Sequence, residues 1–230
     1  MIIQLCASHI SCYKRFNTLC RQLDSISSQN MYAPFFLSIS VSPELYKEVY
    51  NKLENKKNKN IKIYWRSIQL SQFQHYSLLV KDIKDLAQNT WYIFCDDDDF
   101  CHPDRVKWYT ENIKLYQNTY DAIFPIDGCM CVYKDGSLTM NYNDLLEHQK
   151  ENPYTITTGG QEYWMFATRA DLFELFCNFN NNNISNKYCD IKWRNFIRNT
   201  NCKYLKSHTW LYAKTMDKTF DHVSLNLLEY

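Results

Sequence analysis

Hydrophobic positions along the first 125 residues switch repeatedly between two periods. Short continuous apolar runs, at Ile2–Cys6, Phe35–Val41, Ile61–Trp65, Trp91–Cys95 and Asp121–Ile126, read as strands. Between them lie stretches whose apolar residues recur every three or four positions. Tyr13–Ser27 carries Phe16, Leu19, Cys20 and Leu23 on one face, and Gln72–Ala87 carries Phe73, Tyr76, Leu79, Val80, Ile83 and Leu86. Ser42-Pro43 reads as an N-cap followed by proline at the first helical position, and that helix ends in the polar run Asn55–Asn60. Pro103–Leu115 reads as a further helix, and Ala7–Cys12 as a loop. Alternating strands and helices predict an α/β fold, a mostly parallel central sheet flanked by helices. Trp91–Cys95, apolar throughout, is expected to be buried on both faces.

The second half changes pattern. Met130–Tyr133 and Leu138–Tyr142 flank Lys134-Asp135-Gly136, a hairpin signal. Tyr163–Ala167, Tyr204–Leu205 and Trp210–Tyr212 read as short strands, and Arg169–Cys177 and Asp190–Arg198 as helices. Neither a repeat nor a linker interrupts the chain. The expectation is a single domain over residues 1–230, with residues 1–127 and 128–230 as its two halves and a small antiparallel elaboration in the second.

The chain has 230 residues, 45% of them hydrophobic and 22% charged, which suits a folded globular domain rather than a disordered one. Lys plus Arg number 26 and Asp plus Glu 25, so the basic excess of a general nucleic-acid binder is missing. No apolar run approaches the roughly 18 residues of a membrane span. The N-terminus lacks the basic segment of a secretory signal. Ten cysteines are too few for a small disulfide scaffold, and Cys6, Cys95 and Cys177 lie in apolar segments; a reducing, cytoplasmic setting is expected. Neither Cys129-x-Cys131 nor Cys101-His102 has the repeated spacing of structural zinc.

The chemistry concentrates at Asp96-Asp97-Asp98-Asp99, directly after the buried strand. Ligands of open α/β sheets bind outside the carboxyl ends of the strands. Four adjacent acids repel one another unless a cation neutralises them. Asp96 and Asp98, alternate residues of an extended segment, can face one ion, and a hard cation such as Mg²⁺ or Mn²⁺ suits carboxylate oxygens. An EF-hand loop is excluded, since Phe100 stands at its fifth position and its glycine is missing. Phe-Cys-His-Pro after the acids likewise departs from a haloacid-dehalogenase-type phosphatase. A solvated acidic turn capping the next helix is the plainer alternative.

A strand, Asp-x-Asp-Asp, a short spacer, His102-Pro103-Asp104 and a helix resemble the GT-A glycosyltransferases, family 2 and its relatives. Thr158-Gly159-Gly160 through Arg169 resembles the family's acceptor-side segment, and Tyr188-Cys189-Asp190 through Arg194 the element carrying its catalytic base. Compact size and an Asn, Lys and Tyr bias are similar to small glycosyltransferases of large DNA viruses. The resemblance implies a nucleotide-diphosphate sugar donor, UDP-linked foremost, and a glycan acceptor. It implies Mn²⁺ or Mg²⁺ held by Asp96 and Asp98, with His222 as a third ligand, and Asp190 or else Glu162 as base. Ser8, His9, Gln72, His75, Asp96, Asp97, Gly159 and Gly160 are the implied donor contacts. The family's acid after the second strand has no counterpart in Ser38–Ser42, and where it places Arg or Asn after the third strand this chain offers Gln72, Gln74 and His75. A divalent-metal phosphohydrolase or nucleotidyltransferase, and a non-catalytic nucleotide-sugar-binding module, are the competing readings.

Overall fold

The computed structural model describes residues 1–56, 60–126, 129–132, 163–181, 188–207 and 211–215. In chain order these form β1 (Ile2–Ile10), α1 (Tyr13–Ser27), β2 (Phe35–Val41), α2 (Tyr46–Lys56), β3 (Ile61–Arg66), α3 (Gln72–Asp82) and β4 (Trp91–Cys95). Then come β5 (Phe100–Cys101), α4 (Arg105–Tyr116), β6 (Ala122–Ile126), β7 (Cys129–Val132), a 3₁₀ turn at Tyr163–Met165 and β8 (Ala167–Arg169). The remainder is α5 (Ala170–Phe179), α6 (Cys189–Arg198), β9 (Cys202–Lys206) and β10 (Tyr212–Thr215).

Seven strands make one sheet in the order β3-β2-β1-β4-β8-β6-β9. All its pairings are parallel except those of β8, which runs against β4 and β6. The chain moves outward from β1 to β3 and returns to place β4 on β1's other side. That reversal opens a crevice at the carboxyl ends of β1 and β4, the place where open α/β sheets bind ligands. A second, three-stranded sheet, β5-β10-β7, joins segments distant in sequence: β10 is antiparallel to β5 and parallel to β7.

Residues of β4 alternate between the two faces. Tyr92 and Phe94 join a core with Phe73, Tyr76, Phe173, Phe176 and Trp193. Trp91 and Ile93 join a second core with Val106, Tyr109, Ile113 and Ile123. Helices therefore cover both faces, and all five residues of β4 are buried. No described helix is long and apolar enough to cross a membrane.

Local chemistry sets the boundaries. Ser71 opens α3 with a capping box: the Gln74 amide donates to Ser71 Oγ at 3.2 Å, and the Ser71 amide donates to Gln74 Oε1 at 2.8 Å. Such a cap stabilises a helix by about 1 kcal/mol. The structure corrects several expected bounds; the strand expected at Trp210–Tyr212 is Tyr212–Thr215, and the helix expected at Pro103–Leu115 is Arg105–Tyr116. β1 runs on through Ile10, because Ser8 and His9 pair in register with Ile39 and Ser40 of β2. α2 starts at Tyr46 rather than Pro43; the amides of Leu45 and Tyr46 close a turn onto the carbonyls of Ser42 and Pro43 first. α3 ends at Asp82, and Lys84–Leu86 tightens into a 3₁₀ turn. Tyr163–Met165 is a 3₁₀ turn, with the strand confined to Ala167–Arg169. The expected hairpin partner Leu138–Tyr142 lies outside the described residues.

Candidate nucleotide-sugar site

The acidic segment leaves β4 at the crevice, and its carboxylates have separate surroundings. Asp97 is buried and fully engaged: Ser8 Oγ donates to it at 2.5 Å, and Arg15 donates twice, from Nε at 2.9 Å and Nη2 at 2.8 Å. Its charge holds the Arg15 guanidinium ionised against the cost of partial burial. This fork joins the end of β1, the first turn of α1 and the acidic loop. Asp97 is thus turned into the protein.

Asp96 faces the opposite neighbours. Its Oδ1 accepts from Gln72 Nε2 at 2.9 Å and from the Tyr163 hydroxyl, and its backbone amide donates to the Tyr212 hydroxyl at 2.6 Å. Gln72 opens α3, Tyr163 belongs to the 3₁₀ turn and Tyr212 to β10, so three elements converge on one residue. Asp98 is partly buried, and burial together with the charges of Asp97 and Asp96 pushes its carboxyl up to about 7. A carboxylate so strained toward neutrality suits a bound divalent cation, which removes the repulsion. Among the described residues, no group of three His, Cys, Asp or Glu side chains is arranged to hold an ion by itself. Asp96 and Asp98 do offer carboxylate oxygens, the donor type that a hard cation prefers.

Below the loop, Arg105 is wholly buried. It donates to the Phe94 carbonyl at 2.6 Å, the Trp164 carbonyl at 3.3 Å, Cys95 Sγ at 3.0 Å and Cys101 Sγ at 3.4 Å. It thereby pins the end of β4, β5 and the 3₁₀ turn together. Burial opposes ionisation of Cys95, but the Cys101 thiol and the Arg105 charge outweigh it and bring Cys95 down to about 7.

Beside β1, a polar chain enters the sheet. Ser38 and Ser40 of β2, His75 of α3 and His9 of β1 are linked by hydrogen bonds of 2.9 to 3.1 Å. Arg66 donates to Ser38 at 2.8 Å and to Asp82 at 2.5 Å. The third strand therefore does end in an arginine, which a strand boundary placed at Trp65 had hidden. Of the expected donor contacts, Ser8, His9, Gln72, His75, Asp96 and Asp97 all gather at the carboxyl ends of β1, β2 and β4, where Ser8 donates to Asp97 and Gln72 to Asp96. Asp190 lies in the first turn of α6, which packs on the Tyr163–Met165 turn, and its Oδ1 is buried without a hydrogen-bond partner among the described residues. Gly159, Gly160, Glu162 and His222 lie outside the described residues. Arg15, Arg105 and Tyr212 escaped the sequence reading; their partners are 82, 11 and 116 positions away, and no local pattern announces them.

No family model and no curated protein matches the chain. Solved structures do. TarS of S. aureus superposes with a TM-score of 0.58 at 15% identity, covering 99% of this chain and 40% of that one. TarS 1-349 in complex with UDP-GlcNAc gives 0.55 at 14% identity, over 94% of this chain and 58% of that one. A protein described as a glucose-1-phosphate thymidylyltransferase from Bacillus anthracis gives 0.52 at 8% identity, over 98% and 95%. The chain thus has a GT-A-like fold and spans about two-fifths of the length of TarS. At these identities the likeness is one of fold.

Proposed function

We propose that this chain is a glycosyltransferase domain that moves a sugar from a nucleotide-diphosphate donor, UDP-linked, to a hydroxyl of a glycan acceptor. The observation that carries the reading is the acidic segment Asp96–Asp99, set at the β1/β4 crevice of a GT-A-like fold. A solved protein of that fold, TarS 1-349, is in complex with UDP-GlcNAc.

Three tasks fall to the chain's own residues. Asp96 and Asp98 would hold Mn²⁺ or Mg²⁺, and such a cation offsets negative charge gathering on a departing diphosphate. Tyr163, Gln72 and Tyr212 fix Asp96, while Arg15 removes Asp97 from competition for the same ligand. Asp190 is the candidate base. A carboxylate within hydrogen-bond reach of the acceptor hydroxyl takes its proton as the bond to sugar forms, and the lack of a partner for Asp190 Oδ1 among the described residues supports that role. Glu162 stands as the second candidate and His222 as the candidate third metal ligand.

The Bacillus anthracis neighbour favours one competing reading, nucleotidyl transfer, because this chain matches nearly its whole length. Incubation with UDP-GlcNAc, UDP-glucose and UDP-galactose, with Mn²⁺ and with chelator, separates the two. Metal-dependent release of UDP supports glycosyl transfer. Formation of UTP and sugar phosphate when pyrophosphate is added supports nucleotidyl transfer. Neither product from any donor contradicts both.

A further inference from the structure

We infer that His9 reads the nucleobase: its Nε2–H, fixed in that tautomer by a hydrogen-bond relay from Arg66 through Ser38, His75 and Ser40, selects a pyrimidine with a carbonyl oxygen at C4 over one with an amino group there. The inference deepens the nucleotide-sugar reading and rests on it.

Counting protons along the relay fixes both tautomers. Arg66 Nε can only donate, so Ser38 Oγ accepts there, at 2.8 Å. Ser38 is fully buried, and its other partner is His75 Nδ1 at 2.9 Å. The Ser38 hydroxyl proton therefore goes to His75 Nδ1; any other arrangement strands a buried O–H. With Nδ1 accepting, the neutral ring carries its proton on Nε2 and donates to Ser40 Oγ at 3.1 Å. Ser40, also buried, passes its own proton to His9 Nδ1 at 2.9 Å. His9 in turn must carry its proton on Nε2. Burial and the nearby Arg66 and His9 hold His75 down to about 4, so the ring is neutral as the relay requires.

Position makes this donor useful. His9 is next to last in β1, at the crevice, and is partly exposed. It lies near enough to Arg15 and Asp97 for both charges to act on it. β1 lies between β4, whose loop carries Asp96 and Asp98, and β2, so a nucleoside that extends across β1 from a diphosphate at those acids meets His9. Uracil O4 accepts from an N–H, whereas the amino group of cytosine at that place opposes one. A neutral, fixed donor therefore favours UDP over CDP. His9 is the specificity-determining residue, and Ser38, His75 and Ser40 are positioning residues.

Calorimetry with UDP and CDP in the presence of Mn²⁺ tests the selection, and long-range ¹H–¹⁵N correlation of the histidine rings reads the tautomers directly. Wild type is expected to prefer UDP by about tenfold or more, with Nε2–H on both rings. Ser40→Ala is expected to reduce the preference to less than about threefold, and Ser40→Thr, which keeps a hydroxyl, to retain it. Equal binding of UDP and CDP by wild type, a preference untouched by Ser40→Ala, or Nδ1–H on either ring overturns the inference while leaving the nucleotide-sugar reading standing. Binding of neither nucleotide, with the relay tautomers as assigned, overturns that reading and the role given to His9 together.

Discussion

The acidic loop is flanked by two differently built regions. Toward β1, β2 and β3, polar side chains run into the sheet and every link has a partner: Arg66, Ser38, His75, Ser40 and His9 in one line, Ser8, Asp97 and Arg15 in another. Toward β8, α5 and α6 the contacts are aromatic. Phe94 and Phe173 lie 4.8 Å apart, Phe173 and Trp193 4.8 Å, and Phe176 and Trp193 4.9 Å between ring centres. On that side Asp190 Oδ1 and Trp193 Nε1 have no hydrogen-bond partner among the described residues. Hydrogen bonds are directional and fix which atoms donate; ring packing fixes shape and leaves polar atoms to a ligand. On the proposed reading, the first region presents directed donors to the nucleotide, and the second packs around the candidate base.

The comparison breaks hardest at Asp190. Asp190→Asn is expected to lower kcat by about 10²- to 10⁴-fold, with UDP affinity unchanged, as steady-state kinetics and calorimetry will show. A next, slightly smaller effect separates the two kinds of packing. Trp193→Ala should cost about 3–5 kcal/mol in denaturant unfolding, whereas Ser38→Ala, which deletes one relay hydroxyl, should cost about 1–3 kcal/mol.

Acid sharpens the comparison further. His75 sits at about 4 when folded against 6.5 for its ordinary value, so the unfolded chain binds the extra proton between these limits. Its contribution is complete above pH 6.5 and declines as pH falls toward 4. Asp98, raised to about 7, has the opposite sign: the folded chain takes up its proton first, and stability is gained as pH falls from 7. In metal-free Asp98→Asn, stability should therefore drop by about 2 kcal/mol from the His75 contribution between pH 7 and pH 5. Wild type should change by less than about 1 kcal/mol over the same range, because the Asp98 gain offsets the His75 loss, and in Asp98→Asn the further change His75→Gln should flatten the fall. The smallest effect distinguishes neighbouring acids. Asp97→Asn should destabilise by about 1 kcal/mol, because Arg15 is one-third exposed and partly screened, while Asp98→Asn should raise the melting temperature.

Where periodicity is strong, the sequence suffices. The bounds of α1, β2 and β4 follow from their apolar patterns, and the placement of Asp96–Asp99 follows from β4. Polar links are less legible. Ser38 and Ser40 are unremarkable residues of a buried strand until α3 lays His75 across them. Asp97 looks like its three neighbours until Arg15, 82 positions earlier, claims it. Tyr163 reads as a core aromatic from its neighbours Trp164 and Met165; its hydroxyl reaches Asp96 because the segment turns as a 3₁₀ helix instead of extending. Such pairings depend on topology, and one-dimensional patterns carry none of it.

The central claim is that the loop after β4 binds a nucleotide diphosphate through a divalent cation at Asp96 and Asp98. Titration of UDP into the protein, with Mn²⁺ and with chelator, for wild type and Asp98→Asn, tests it most directly. UDP binding should require Mn²⁺ and be lost in a folded Asp98→Asn variant. UDP binding of equal strength with chelator, or undiminished in Asp98→Asn, would contradict it.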